Sequence, residues 1–355
     1  MPESRRHVRG TRRAVIALAA IAIATLAGCS SSDPAAPASS TPTPAAVVTP
    51  TPEATPVTVT IASLKGPTTM GLVGLMDQVA SGTAAEDYQV TMYGAPDEVV
   101  PLLAQGTVDI ALIPANLAAV LYNKTAGTDA QLSVLAINTL GVLNIVENGD
   151  TVHSLADLRG HTILTTGKGS SPEYVLNYLL TQAGLTPGED VTVEYLSEHS
   201  EVLARLTTTP GAVGMLPQPF ATVGLAKSAD LRVALDLTTE WDKVSPSSQL
   251  ITGVVVVRNA FAAEHPEAVA QFMTDYAAST QWVNANPADA APLIVDAGIV
   301  PEAALAQKVI PLCYITFISA TQMKDALSGY LQVLFDADAA SVGGSMPGDD
   351  FYYAG

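Results

Sequence analysis

Cysteine, arginine, histidine and aromatic side chains are all scarce in this sequence. Of 355 residues only 2 are Cys and 5 are His, and Phe, Trp and Tyr together make up 5%. Two cysteines, Cys29 and Cys313, exclude a disulfide framework and any Cys-rich metal site. His153, His161, His199 and His265 are scattered without metal-ligand spacing. Basic residues number 16 against 34 acidic ones, a formal net charge of −18; so acidic a chain repels a polyphosphate backbone, and nucleic acid is excluded as a partner. Neither HExxH nor GxSxG occurs. The run Gly167-Lys168-Gly169-Ser170-Ser171-Pro172 fails as a phosphate loop, because Thr162 and Gly169 stand where that motif needs Gly and Ser or Thr. His199-Ser200-Glu201 makes no triad, since sequence neighbours on a helix point apart. No enzyme chemistry and no cofactor are expected.

What the chain does have is apolar surface, with 48% hydrophobic against 14% charged residues. That supports real cores, and at roughly 100–200 residues per domain the length calls for two globular units. Residues 1–28 carry Arg5, Arg6, Arg9, Arg12 and Arg13 before an apolar run from Ala14 to Ala27, the charged and hydrophobic parts of a secretory signal. The run is too short to serve comfortably as a membrane span. It ends in Leu26-Ala27-Gly28-Cys29, which resembles the lipobox of bacterial lipoproteins and so implies cleavage before Cys29 and a diacylglycerol anchor on it. Residues 29–56 then form a tether whose seven prolines favour an extended, semi-rigid chain that holds the folded part off the outer face of a bilayer. Without the signal, 11 basic residues remain against 33 acidic ones. Only four of them are arginines (Arg159, Arg205, Arg232 and Arg258), so a clamp of several guanidinium groups is hard to build.

Sliding the chain against itself by 103 positions reveals an internal repeat. Lys65-Gly66 falls on Lys168-Gly169, Glu98-Val99 on Glu201-Val202, Leu103 on Leu206 and Pro114 on Pro217. The expected elements coincide as well. Strands at 57–62, 88–93 and 108–113 alternate with helices around 72–79, 96–105 and 116–122, and strands at 162–166, 191–196 and 212–216 with helices at 173–183, 199–207 and from 219. Such alternation makes mainly parallel sheets covered by helices, hence an α/β fold of two lobes. The extended pairs 132–137 with 142–147 and 231–236 with 249–257 are placed to cross between lobes, with Thr139-Leu140-Gly141 and Thr252-Gly253 at the hinge. The division expected is lobe 1 over 57–140, lobe 2 over 141–250, and lobe 1 completed by 251–335. From Asn259 onward the chain reads as almost wholly helical, and 336–355 as a tail wrapped over the surface.

The lipobox and tether are joined by three further phrases: ValThrValThrIleAlaSerLeuLysGlyProThr at 57–68, GlyThrValAspIleAlaLeuIleProAla at 106–115, and LeuAlaAspLeuArgGlyHisThrIle leading into GlyLysGlySerSerProGluTyr at 155–174. With them the chain resembles the substrate-binding lipoproteins of ABC importers, of the type II periplasmic-binding-protein fold. Within that class it is similar to the group of nitrate, sulfonate and taurine receptors and thiamine-pyrimidine-precursor receptors. The resemblance implies a monomer that captures a small solute between its lobes and delivers it to a membrane permease and its ATPase. A lipid-anchored sensor or scaffold that kept the fold is the alternative.

In open α/β sheets, ligands sit beyond the carboxyl ends of strands, where loops lead into helices. Four loops occupy facing positions: 65–70, 114–117, 167–174 and 217–220. They offer Lys65, Gly66, Thr68, Thr69 and Met70 from one lobe, Asn116 near it, and Lys168, Gly169, Ser170, Ser171 and Tyr174 from the other. Gln218 and Phe220 follow in a proline-stiffened loop. Thr139, His199, Trp241 and Tyr93 complete the candidates. Helix N-termini and two lysines suit a sulfonate-like anion; few arginines and several aromatic rings suit a neutral planar pyrimidine.

Overall fold

The β-branched alternation at the start of the repeat forms a strand, Thr58–Leu64, with Val59 and Ile61 turned inward. The structure, a computed structural model, describes residues 56–355; the signal segment, Cys29 and the tether through residue 55 lie outside the described residues. In chain order the strands are β1 (Thr58–Leu64), β2 (Asp87–Tyr93), β3 (Ile110–Pro114), β4 (Leu132–Leu140), β5 (Leu143–Asn148), β6 (Thr162–Thr165), β7 (Thr192–Tyr195), β8 (Val213–Pro217), β9 (Leu231–Asp236), β10 (Ile251–Arg258) and β11 (Ile315–Ser319). They form two sheets, ordered β11-β4-β10-β3-β1-β2 and β7-β6-β8-β5-β9.

The two orders are the same plan drawn twice. In each sheet three parallel strands, β2-β1-β3 or β7-β6-β8, continue into two strands that join antiparallel, β10-β4 or β5-β9. The repeat is visible to the residue: β8 is β3 displaced by 103, and the helix His199–Thr208 starts 103 after Pro96–Ala104. The β10 strand supplies to the first sheet what β5 supplies to the second, so each lobe borrows its central antiparallel strand from beyond a crossover.

Several expectations need correction. The region after Asn259 is not wholly helical: Ile315–Ser319 adds the edge strand β11 antiparallel to β4. Its β-branched IleThrPheIle core favours a strand, but four or five residues between helices carry too little periodicity to be recognised. The helical stretch after Asn259 opens with two helices, Asn259–Glu264 and Pro266–Ala285, because Pro266 cannot donate the N–H that would continue the first. The helix expected around 72–79 is Val73–Ser81, and a separate short helix, Pro67–Met70, precedes it. Between them Gly71 lies so close to Tyr276 and Thr280 that a Cβ would come within 2.9 Å of Thr280 Oγ1. The tail is not a surface wrap either. Ser341, Val342 and Phe351 are fully buried, Phe351 meets Tyr122 edge-on at 5.2 Å between ring centroids, and the Tyr353 N–H donates to Val134 O at 3.0 Å.

The chain crosses between sheets twice, at Leu140–Leu143 and again before β10, and the crossings touch where the Gly141 N–H donates to Leu250 O at 2.9 Å. Gly141 holds φ 56°, and a Cβ there would collide with the buried Oγ1 of Thr238. Gly141→Ala therefore combines left-handed strain with overpacking at the hinge. It is expected to cost about 3 kcal/mol, read as a lowered urea midpoint at unchanged slope.

Candidate functional site

The carboxyl ends of β1, β3, β6 and β8 face one another across the gap between sheets, and a cavity of about 100 Å³ lies there. Six loops surround it rather than four, because the loops after β2 (Gly94 to Pro96) and β7 (Ser197 to His199) also reach it. The repeat carried this signal, since Gly94 and Pro96 fall on Ser197 and His199 under the 103-residue shift. Further lining residues, such as Val142, Thr166 and Thr252, come from strand ends and crossovers that no local pattern marks.

Of the candidates, Lys65, Thr68, Thr139, Ser170 and His199 line this cavity. The Lys65 backbone N–H is fixed on Tyr93 O at 2.9 Å, while its Nζ would be 3.7 Å from a Cβ at Gly298. It forms no salt bridge among the described residues, and no carboxylate lines the cavity. The four arginines among the described residues are committed elsewhere, Arg159 to Asp190, Arg205 to Glu194, Arg232 to Glu147 and Arg258 to Asp109. The His199 ring lies on Phe220, 4.7 Å between centroids, and its Nδ1 pairs with Thr166 Oγ1 at 3.0 Å. Burial pushes its pKa down to about 4, so the imidazole is neutral at pH 7.

The other candidates are placed away from it. Lys168, exposed like its repeat partner Lys65, does not line the cavity, and its ammonium is 5.9 Å from the centre of the Tyr195 ring. Thr69 is buried and donates to Leu64 O at 2.7 Å, and Met70 sits in the core. Gly66 packs toward Phe220. Gln218 Oε1 accepts from Thr222 Oγ1 at 2.8 Å and from the Thr222 N–H at 3.3 Å, in the first turn of the helix Phe220–Lys227. The fully buried Trp241 packs between Tyr178 and Tyr330 and donates to Ser248 O at 3.2 Å. Tyr174 lines a separate groove between the helices Ser171–Gln182 and Ala320–Ala337. Of the aromatic rings invoked for a planar ligand, Trp241 is thus core and Tyr174 lies in a separate groove.

A second, wider space of about 650 Å³ adjoins the cavity, with Lys65, Gly94 and His199 bordering both. Phe220 and Tyr93 belong to its wall.

Asn116 and Ser171 join the lobes directly. Asn116 Nδ2 donates to Gly169 O at 3.3 Å and Ser341 O at 3.0 Å, and Ser171 Oγ donates back to Asn116 Oδ1 at 3.1 Å. Gly169 itself donates to the Glu173 carboxylate. The bonds of Asn116 to Gly169 and Ser171 exist only when the lobes are together, so Asn116→Ala should favour the open form and weaken ligand binding about tenfold. Calorimetric titration reads the affinity, and small-angle scattering reads the larger radius of the unliganded variant.

Among the described residues no helix is long and apolar enough to cross a membrane, and no group of three or more His, Cys, Asp or Glu could hold a metal ion. A family profile described as ABC transporter, phosphonate, periplasmic substrate-binding protein matches residues 71–300. Among solved structures, an ABC transporter protein from Parabacteroides distasonis is similar at 24% identity and TM-score 0.67, over 83% of this chain and 98% of that one. The alkanesulfonate-binding protein from Xanthomonas axonopodis pv. citri, bound to MOPS, is similar at 16% identity and TM-score 0.65, over 84% and 97% of the two chains. The periplasmic aliphatic sulphonate binding protein from Escherichia coli is similar at 15% identity and TM-score 0.62, over 80% and 89%. No curated protein matches the sequence.

Proposed function

The chain belongs to the phosphonate-type periplasmic substrate-binding proteins of ABC transporters, and from that premise we propose that its ligand is an oxyanion with a phosphonate-like or sulfonate-like head. The observation that carries this is Lys65: an unpaired cation at a cavity without any carboxylate, in a protein whose net charge is −18. Lys65 is exposed at the mouth of the cavity, and an anion seated there gains a charge-assisted hydrogen bond from its ammonium. Thr68 and Ser197 add hydroxyls that have no hydrogen-bond partner among the described residues, and the neutral His199 adds no competing charge. Loops from both lobes touch the head, so capture and closure are one event.

In this reading the protein delivers its ligand to a permease and performs no chemistry on it. His199 has one nitrogen taken by Thr166, and the family match favours transport over a sensor or scaffold role. Cys29 carries the lipid, residues 29–56 act as the tether, and the mature protein works as a monomer on the extracytoplasmic face. Cys29→Ala should release it from membranes into the soluble fraction and abolish labelling by radioactive palmitate. Retained labelling would remove the anchor.

Calorimetry with methylphosphonate, ethanesulfonate and phosphate, against uracil as a neutral planar ring, tests the ligand. At least one oxyanion is expected to bind, more weakly at high salt. Uracil binding with no response to any oxyanion would overturn the reading.

A further inference from the structure

The first crossing between the sheets holds a residue ill-suited to its backbone. Val142 has φ 70°, in the left-handed region, where a β-branched side chain crowds the neighbouring carbonyls. Among the described residues three that are not glycine have positive φ, namely Val142, Tyr314 and Ala320. Only Val142 of these is β-branched, and only Val142 lines the inner cavity. Hydrogen bonds on either side fix the torsion. The Gly141 N–H is held by Leu250 O of the second crossing at 2.9 Å, while the Val142 carbonyl accepts from the Gln218 N–H at 2.8 Å and from Asn144 Nδ2 at 2.8 Å, both in the second lobe. A turn of that lobe against the crossings is therefore taken up between these anchors, by the torsions of Gly141 and Val142. Glycine absorbs such a change freely, whereas valine does not.

We propose that Val142 is a loaded hinge: its left-handed backbone belongs to the closed form, relaxes when the lobes part, and is held by a ligand that fills the cavity. Its buried side chain shares the cavity wall with Thr139 and Thr252, from the strands β4 and β10 on either side of the two crossings, so a ligand seated there packs against the hinge itself. The strain tilts the unliganded protein toward the open form, and on release it favours opening. This concerns the hinge and is independent of the charge of the ligand.

The test compares two variants that both remove the isopropyl group, Val142→Ala and Val142→Gly, in the lipid-free protein carrying residues 30–355. Only glycine adopts φ 70° without strain. Calorimetry with each of methylphosphonate, ethanesulfonate, phosphate and uracil that binds the wild type should show Val142→Gly binding about tenfold more tightly than Val142→Ala. Without any ligand, small-angle scattering should give Val142→Gly the smaller radius. A merely flexible hinge gives the opposite order, because glycine then frees the open form. Asn144→Ala supplies a second arm, since Asn144 is buried, does not line the cavity and holds the Val142 carbonyl. It should weaken binding about fivefold alone and less than about twofold beside Val142→Gly, where no strain remains to be held. Urea midpoints check that each variant is folded. A Val142→Gly protein neither tighter-binding nor more compact than Val142→Ala, or an Asn144→Ala loss equal in both backgrounds, would overturn the loaded hinge and leave the ligand reading standing.

Discussion

Lys65→Ala is expected to weaken binding of a small phosphonate or sulfonate about 30-fold to 100-fold, while Lys168→Ala changes it less than about threefold. A charge-assisted hydrogen bond contributes about 1.5–3 kcal/mol, and Lys65 is the one lysine on the cavity wall. Lys168 instead stands over Tyr195. Calorimetric titration of the two single variants at low ionic strength separates them, with circular dichroism to confirm that both fold. Equal losses would mean that both lysines reach the ligand; no loss in Lys65→Ala would remove the charge on which the anion reading depends.

The second large effect concerns stability. Glu147 on β5 is 0% exposed, and its carboxylate accepts from Thr151 Oγ1, from the Thr151 N–H at 2.8 Å, from the Val152 N–H at 3.1 Å and from Arg232 Nη2 at 2.6 Å. Desolvation alone would raise its pKa, but the Thr151 and Val152 hydrogen bonds and the Arg232 charge together hold it below the usual carboxylate value. Arg232→Ala leaves a buried carboxylate without its cation and is expected to cost about 3 kcal/mol at pH 7, seen as a lowered urea midpoint.

The sign with pH follows. A carboxyl whose folded pKa is lowered contributes stability above its unfolded value, near 4.3, and loses it as pH falls through the lower folded value. His199 acts in a neighbouring window. Its unfolded form takes a proton near 6.5, its folded form only near 4, so stability also declines as pH drops between those values. Urea midpoints from pH 7 to pH 3 should fall throughout, and Glu147→Gln should flatten the lower part alone. A variant that kept the full acid slope below pH 4 would show that Glu147 is not its source.

Much of the architecture was legible because it follows from local periodicity and duplication. Val59 and Ile61 alternate as a strand must, Pro96 opens a helix, and the 103-residue shift maps β3 onto β8. Where tertiary contact overrode local pattern, legibility failed. β11 exists because β4 offers it an edge, and Phe351 anchors the tail through its edge-on contact with Tyr122.

The repeat and its alternation of strands and helices belonged to the sequence alone, since alternation and helical spacing are written residue by residue. Which of two equivalent lysines meets the cavity did not. The loop after β6 places Gly167 and Gly169 at φ 76° and 77° on either side of Lys168, whereas Lys65 has only Gly66, at φ 142°, after it. Those extra left-handed turns accompany a Lys168 turned outward over Tyr195, and only the closed packing of the lobes leaves Lys65 as the cation at the cavity and spends Asn116 on holding them together. A duplicated sequence specifies two similar halves; the break in their symmetry, on which the site depends, is set by how they meet.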